Sequence, residues 1–223
     1  MNYVLLLAGG TGKRLGDDTP KQYIKVKERP VIAYCLDTFA SIGEIDGIWI
    51  VADSMWHDFV RPFAGKKFMG FSEPGRTRQL SIMNGLTDLR EKVEESAAVV
   101  LIHDAARPLV SVEMIRACLE MCKEHDGVMP ALPMKDTVYL ADDGKITSLL
   151  ERSCVVAGQA PEAFRMEKYY EANLALMPDR IKEISGSSQP AVLAGMDVVT
   201  IPGDERNFKI TTRADLDHFC MMV

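Results

Sequence analysis

Five short runs rich in aliphatic residues recur along the chain: YVLLLA at 3–8, GIWIVA at 47–52, KFMGF at 67–71, AVVLIH at 98–103 and GVMPAL at 127–132. Most are too continuously apolar to leave one face in water. Strands of this kind belong in a parallel sheet covered on both faces, with helices as the crossovers. Helical spacing falls between them, over Val31–Ser41, Met55–Ala64, Arg76–Leu89 and Val112–His125. Pro30 is placed to open the first helix and Ser111 to cap the last. With 47% hydrophobic and 26% charged residues the chain can fill such a core. No repeat, low-complexity tract or Gly/Ser/Pro linker divides 1–223, which reads as a single domain.

The rhythm changes after Leu132. TVYLADDGKITSLL, residues 137–150, is two alternating segments about a DDGK turn, the pattern of a hairpin. Such a hairpin is an arm around 135–152 that packs on a partner chain, a flap over a site, or an ordinary sheet edge.

The net charge of −6 argues against a nucleic-acid binder, which needs a basic footprint. The first apolar run is too short for a membrane span, and no basic segment precedes it, so neither a membrane anchor nor a signal peptide is expected. Five cysteines (Cys35, Cys118, Cys122, Cys154 and Cys220) form no metal-type cluster. Cys118 and Cys122 share a helix face and read as buried thiols, and a reducing cytoplasm fits this usage.

Chemistry concentrates in LLLAGGTGKRLGDDTPKQ, residues 5–22, where an apolar strand runs into glycines followed by Lys13, Arg14 and Lys21. A Walker loop fails, because Arg14 stands where a Ser or Thr must hold magnesium. A dinucleotide fingerprint also fits poorly: Leu15 occupies the third glycine position, and Asp53 is only near the place of a ribose-binding acid. A nicotinamide oxidoreductase is therefore an outside reading. A nucleotidyltransferase fits better, with glycine amides on a triphosphate and cations where charge grows during attack on the α-phosphate.

Further motifs follow in order: GRTRQLSIMNGL at 75–86, HDAARP at 103–108, KDTV at 135–138, RSCVVAGQAPEAF at 152–164 and NFKITTRADL at 207–216. Together with the opening loop they resemble the cytidylyltransferase family that makes CDP-methylerythritol and CDP-ribitol. The resemblance spans nearly the whole chain. It implies a Rossmann-like α/β fold of the nucleotide-diphospho-sugar transferase type, mostly parallel, with helices on both faces and a protruding β-arm.

It also implies roles. Arg14 and Lys21 stabilise the pentavalent phosphate, while Leu7, Ala8, Gly9 and Gly10 line the base and phosphates with backbone. Gly75, Arg78 and Ser81 clamp the cytosine and ribose of CTP. Asp104 stands beside the triphosphate and its Mg2+. Arg107 either meets the substrate or is a structural partner of Asp104. Arg152 and Lys209 hold the acceptor phosphate in line for attack. Asp136 and Thr137 belong to the base of the arm, which in relatives crosses to a second subunit, implying a homodimer. His103 is expected to pack in the strand end, since an ionised phosphate needs no base.

Two departures fall on the acceptor side. Ser185-Gly186 stands where relatives carry a Thr-Asp pair, and Ala160 where the methylerythritol enzymes have threonine. The missing acid keeps open a CTP-binding protein without transfer activity. LAGG and the GQ before Pro161 are closer to the ribitol-phosphate branch, so a polyol phosphate such as ribitol 5-phosphate is the expected acceptor. Methylerythritol 4-phosphate is the alternative. Isoprenoid synthesis and a cell-wall or capsular polymer both remain open as the pathway.

Overall fold

A computed structural model describes residues 1–10, 19–93 and 97–223. Its sheet is built around β1 (Asn2–Leu7), which pairs in parallel with β4 (Gly47–Val51) on one side and β6 (Val99–Asp104) on the other. β5 (Phe68–Ser72) continues the parallel order beyond β4. Every residue of β4 and β6 is buried, as their unbroken apolar runs require.

Alternate side chains on these strands enter two separate cores. Val4, Leu6, Ile48, Ile50 and Leu101 pack under α1 (Val31–Ser41) and α4 (Val112–Met121). Leu5, Val51, Val100 and Ile102 face the other way, against α3 (Arg78–Arg90) and α5 (Met166–Leu174). Truncating a strand residue such as Leu5, which is fully buried, to alanine costs about 2–5 kcal/mol at sites of this kind.

The remaining sheet departs from simple winding. β7 (Gly127–Pro133) runs beside β12 (Val198–Pro202) in parallel. Its other edge is shared by two antiparallel strands, β10 (Val156–Gly158) along its end and β11 (Glu162–Arg165) along its start. β11 also pairs antiparallel with β6 and so closes the gap between the two halves. A short ribbon, β2 (Lys25–Val26) with β3 (Arg29–Pro30), precedes α1. α7 (Arg213–Met222) packs Leu216 and Phe219 against Val26, Val31 and Ile210.

Expected boundaries shift where local chemistry intervenes. The helix expected over 55–64 is three short pieces, with only His57–Val60 (α2) α-helical. Pro62 has no amide for an intrahelical bond, and the last turn tightens around it. The helix expected to reach His125 ends at Met121. Pro30 is the residue before the first turn of α1, in extended conformation. Thr77, whose side chain accepts from the Leu80 amide, caps α3.

The hairpin expected around DDGK is present as β8 (Tyr139–Asp142) and β9 (Lys145–Leu149). Asp143 and Gly144 both take positive φ, 44° and 74°, the turn that matches strand twist. Among the described residues the two strands pair only with each other. All nine of their residues are exposed, including Tyr139 at 51% and Ile146 at 69%. α6 (Ser188–Leu193) then precedes β12.

Cys118 and Cys122 are buried as expected, and so is Cys35, while Cys154 and Cys220 are exposed. Burial pushes the Cys35 and Cys122 thiols up to about 12, so neither is a ready ligand or nucleophile.

Candidate active site

A cavity of about 440 Å³ opens at the C-terminal ends of β1 and β6, where ligands bind in open α/β sheets. Its wall includes Leu7, Gly9, Gly10 and Lys21 from the first loop, and Gly75, Arg78 and Ser81 from the start of α3. Asp104 and Lys209 complete it from the opposite side. Arg14 lies outside the described residues.

The glycine turn is held from behind. Gln22 is buried, and its amide Nε2 donates to the carbonyls of Ala8 at 2.5 Å and Gly10 at 2.7 Å. Tyr23 also donates to the Ala8 carbonyl, at 2.9 Å. Ala8 itself is buried and off the cavity surface, so it shapes the turn from beneath. A Cβ on Gly9 would stand 2.4 Å from Pro74 Cβ, which is why only glycine fits there.

The N-terminal turn of α3 forms the second wall. The Ser81 hydroxyl accepts from the Gly75 amide at 3.0 Å and donates to the Thr77 carbonyl at 3.0 Å. Gly75 is fixed by packing too, since a Cβ would fall 2.4 Å from Leu80 Cβ. A helix N-terminus with Arg76 and Arg78 beside it is a favourable place for negative charge.

Asp104 organises the third wall. Arg78 Nε and Nη2 each lie 3.1 Å from Oδ1, and Lys209 Nζ lies 2.7 Å from Oδ2. Burial opposes ionisation of Asp104, but Arg78 and Lys209 outweigh it and hold the carboxyl well below its ordinary range. Burial works against the Arg78 charge as well, and Asp104 and Glu162 overcome it and raise its pKa. Asp104 and Arg78 therefore each favour the charged state of the other.

His103, fully buried, donates from Nε2 to the Arg107 carbonyl, 3.0 Å away. Burial pushes it down to about 4, so it is neutral near pH 7. Of the two expected placements, Arg107 takes the structural one: its amide donates to the Asp104 carbonyl at 2.9 Å, and the Asp104 charge supports its guanidinium against burial. It is absent from the cavity wall, and its guanidinium donates to the Asn207 carbonyl at 2.6 Å. It thus braces the strand end against the loop that presents Lys209. Gln159 and Asn207 complete that brace: Gln159 Nε2 donates to the Asp204 carbonyl at 2.9 Å, and Asn207 Nδ2 to that of Ala160 at 2.7 Å.

Arg152 stands apart. It is exposed at the foot of the arm, and its guanidinium donates to the Lys135 carbonyl at 3.0 Å. The fold does not bring it together with Lys209 within one chain. Sequence reasoning also missed Gln22, Thr77, Thr211 and the buried acid Glu162. Gln22 and Thr77 lay inside quoted motifs, next to residues that were named; Glu162 carried no spacing signal of its own.

A glycine turn, a helix N-terminus and a lysine–aspartate–arginine cluster around one cavity, on this sheet, define a nucleotide-handling α/β enzyme. The family model described as 2-C-methyl-D-erythritol 4-phosphate cytidylyltransferase matches residues 2–221, and the chain belongs to that family. It is a cytidylyltransferase. A Rubrobacter xylanophilus protein named 2-C-methyl-D-erythritol 4-phosphate cytidylyltransferase is 34% identical, covering 95% of this chain and 90% of its own. A Streptococcus agalactiae serotype Ia protein named ribitol-5-phosphate cytidylyltransferase is 33% identical, covering 98% and 94%. The crystal structure of 4-diphosphocytidyl-2C-methyl-D-erythritol synthase from Anaerococcus prevotii superposes with a TM-score of 0.84 at 26% identity, covering 99% of this chain and 95% of that one. These names describe transfer, which favours an enzyme over a protein that only binds CTP.

Proposed function

We propose that the protein transfers CMP from CTP to a phosphorylated polyol of the ribitol 5-phosphate kind, releasing pyrophosphate and forming a CDP-polyol. The observation that carries this is the convergence of the glycine turn, the α3 N-terminus, Asp104 and Lys209 on one cavity. The opening LAGG and the GQ before Pro161 support a ribitol-type acceptor. Relatives of both names match at nearly equal identity, so methylerythritol 4-phosphate is the second reading.

The residues divide the work between two anions that repel each other. Amides of Gly9 and Gly10 and the α3 turn, with Gly75, Arg78 and Ser81, receive the nucleotide. Lys21, with Arg14 from the same loop, stabilises charge on the transferring group as the bond to pyrophosphate breaks. Lys209 and Arg152 hold the acceptor phosphate in line with the α-phosphate. That phosphate attacks as an ionised nucleophile, and neutral His103 is not asked to remove a proton.

Asp104 fits a magnesium ion carried in by the triphosphate. Each of its oxygens has one close cationic partner and retains acceptor capacity, and magnesium needs only one or two protein carboxylates. Such an ion would neutralise triphosphate charge.

Arg152 is not among the residues lining this cavity, and an arm extended to a second subunit would carry it toward the partner's cavity. The exposed Tyr139, Leu140, Ile146 and Leu149 give that arm an apolar surface to cover, which supports a homodimer through β8 and β9. No helix among the described residues is long and apolar enough to cross a membrane, and a cytoplasmic enzyme accords with the free thiols.

Pyrophosphate release tests the reading. CTP with magnesium and ribitol 5-phosphate should give rapid release, with methylerythritol 4-phosphate slower and ATP inactive. Faster turnover with methylerythritol 4-phosphate moves the protein to the second reading. Release with neither acceptor, from protein that binds CTP, removes the transferase assignment of the acceptor end.

A further inference from the structure

One buried acid has no part in the chemistry above. Glu162 opens β11, opposite Ile102 of β6 and two residues from Asp104, and is 8% exposed. A carboxyl so placed is costly unless hydrogen-bonded, and burial raises its pKa. The hydroxyl of Ser188 donates to its Oε2.

Ser188 begins α6, and the residue before it, Ser187, is 1% exposed and accepts at its hydroxyl from Arg78 Nη1. Arg78 therefore has two anchors: Asp104 in front, through Nε and Nη2, and Ser187 behind, through Nη1. The Ser187 backbone is itself fixed, since Tyr169 donates to its carbonyl at 2.8 Å. Tyr169 in turn accepts from Gln79 at 3.2 Å, next to Arg78 on α3. Glu162 also lies close enough to Arg78 to support its charge.

We propose that Glu162 is a positioning residue for nucleotide binding, holding the Ser187–Ser188 corner so that Arg78 presents its remaining N–H donors to the cavity. The inference rests on the assignment of this cavity to CTP.

CTP binding by calorimetry and Michaelis constants for CTP and acceptor, all on the full chain, test it. Glu162→Ala should weaken CTP binding about tenfold, the scale of losing hydrogen-bonded support for a charged group, with the acceptor constant within about twofold. Ser188→Ala should do the same, and it carries the test if Glu162→Ala does not fold. Glu162→Gln keeps an acceptor for Ser188 and should recover to within about threefold of wild type. In an Arg78→Ala background, Glu162→Ala should add nothing, because the two act through one chain of contacts.

A full additional loss in that background overturns the proposal, as does folded Glu162→Ala or Ser188→Ala with unchanged CTP affinity. Wild-type protein that fails to bind CTP overturns the cavity assignment and this inference together. Wild-type binding with unresponsive variants overturns this inference alone.

Discussion

The nucleotide cavity and the β-arm are built on opposite terms. Around the cavity, polar side chains are inside and partnered: Gln22 on two carbonyls, Asp104 on two cations, Arg78 on two anchors. The sheet positions all of them, so one chain suffices. The arm has apolar side chains outside, and among the described residues its strands pair with nothing but each other. A two-stranded ribbon of this kind is marginal alone. Under the proposed function, the contrast separates a cavity lined within one chain from an Arg152 whose part in acceptor binding would depend on what the arm meets.

The largest effect that sharpens this comparison is on Lys21. Lys21→Ala should lower kcat about a hundredfold or more, the usual scale for one electrostatic stabiliser of a transition state, with a smaller change in CTP affinity. Equal loss of affinity and kcat would place Lys21 in ground-state binding instead.

Removing the arm should come next. Replacing residues 139–149 by a short turn should give monomers in sedimentation and lower activity by at least about tenfold, while CTP still shifts Tm. A deletion variant that remains dimeric and fully active breaks the comparison, leaving the hairpin an ordinary edge.

Arg152→Ala should raise the acceptor KM by about tenfold and slow transfer, with CTP binding almost untouched. Weakened CTP binding with normal acceptor kinetics would mean the two ends had been exchanged.

The smallest effect concerns the loop carrying Lys209. Thr211 lines the cavity and is fixed by Asp215, which accepts from its amide at 2.8 Å and its hydroxyl at 2.7 Å. Burial pushes the Asp215 carboxyl up, but hydrogen bonds from Thr211 and Thr212 outweigh it and bring it to about 2. A folded pKa below the unfolded one gives stability that is present above about pH 4 and lost as pH falls toward 2. Asp215→Asn should therefore lower Tm by a few degrees at neutral pH and converge on wild type in acid. A gap that persists unchanged near pH 2 would show that the carboxylate charge contributes nothing.

Much of this was legible in the order of residues. Continuous apolar runs gave β1, β4, β6 and β7 and their parallel sense, because a strand buried on both faces has no polar side to spare. DDGK gave the arm, because positive φ at two successive positions is a property of the turn residues themselves. The resemblance marked Lys21, Arg78, Ser81, Asp104 and Lys209, and all five line one cavity.

What only tertiary structure decided lies between elements distant in sequence. β10 and β11 share an edge of β7, against the expected parallel winding, and no local pattern reveals which edge a short strand will meet. Arg107, three residues after Asp104, sends its guanidinium to the carbonyl of Asn207, far away in sequence. Glu162 looked like any charged residue after a proline until the fold buried it behind Arg78. Periodicity reports which side of an element is covered. Pairing of polar groups depends on which backbone atoms the whole fold leaves unsatisfied nearby, and that is settled only when the chain is packed.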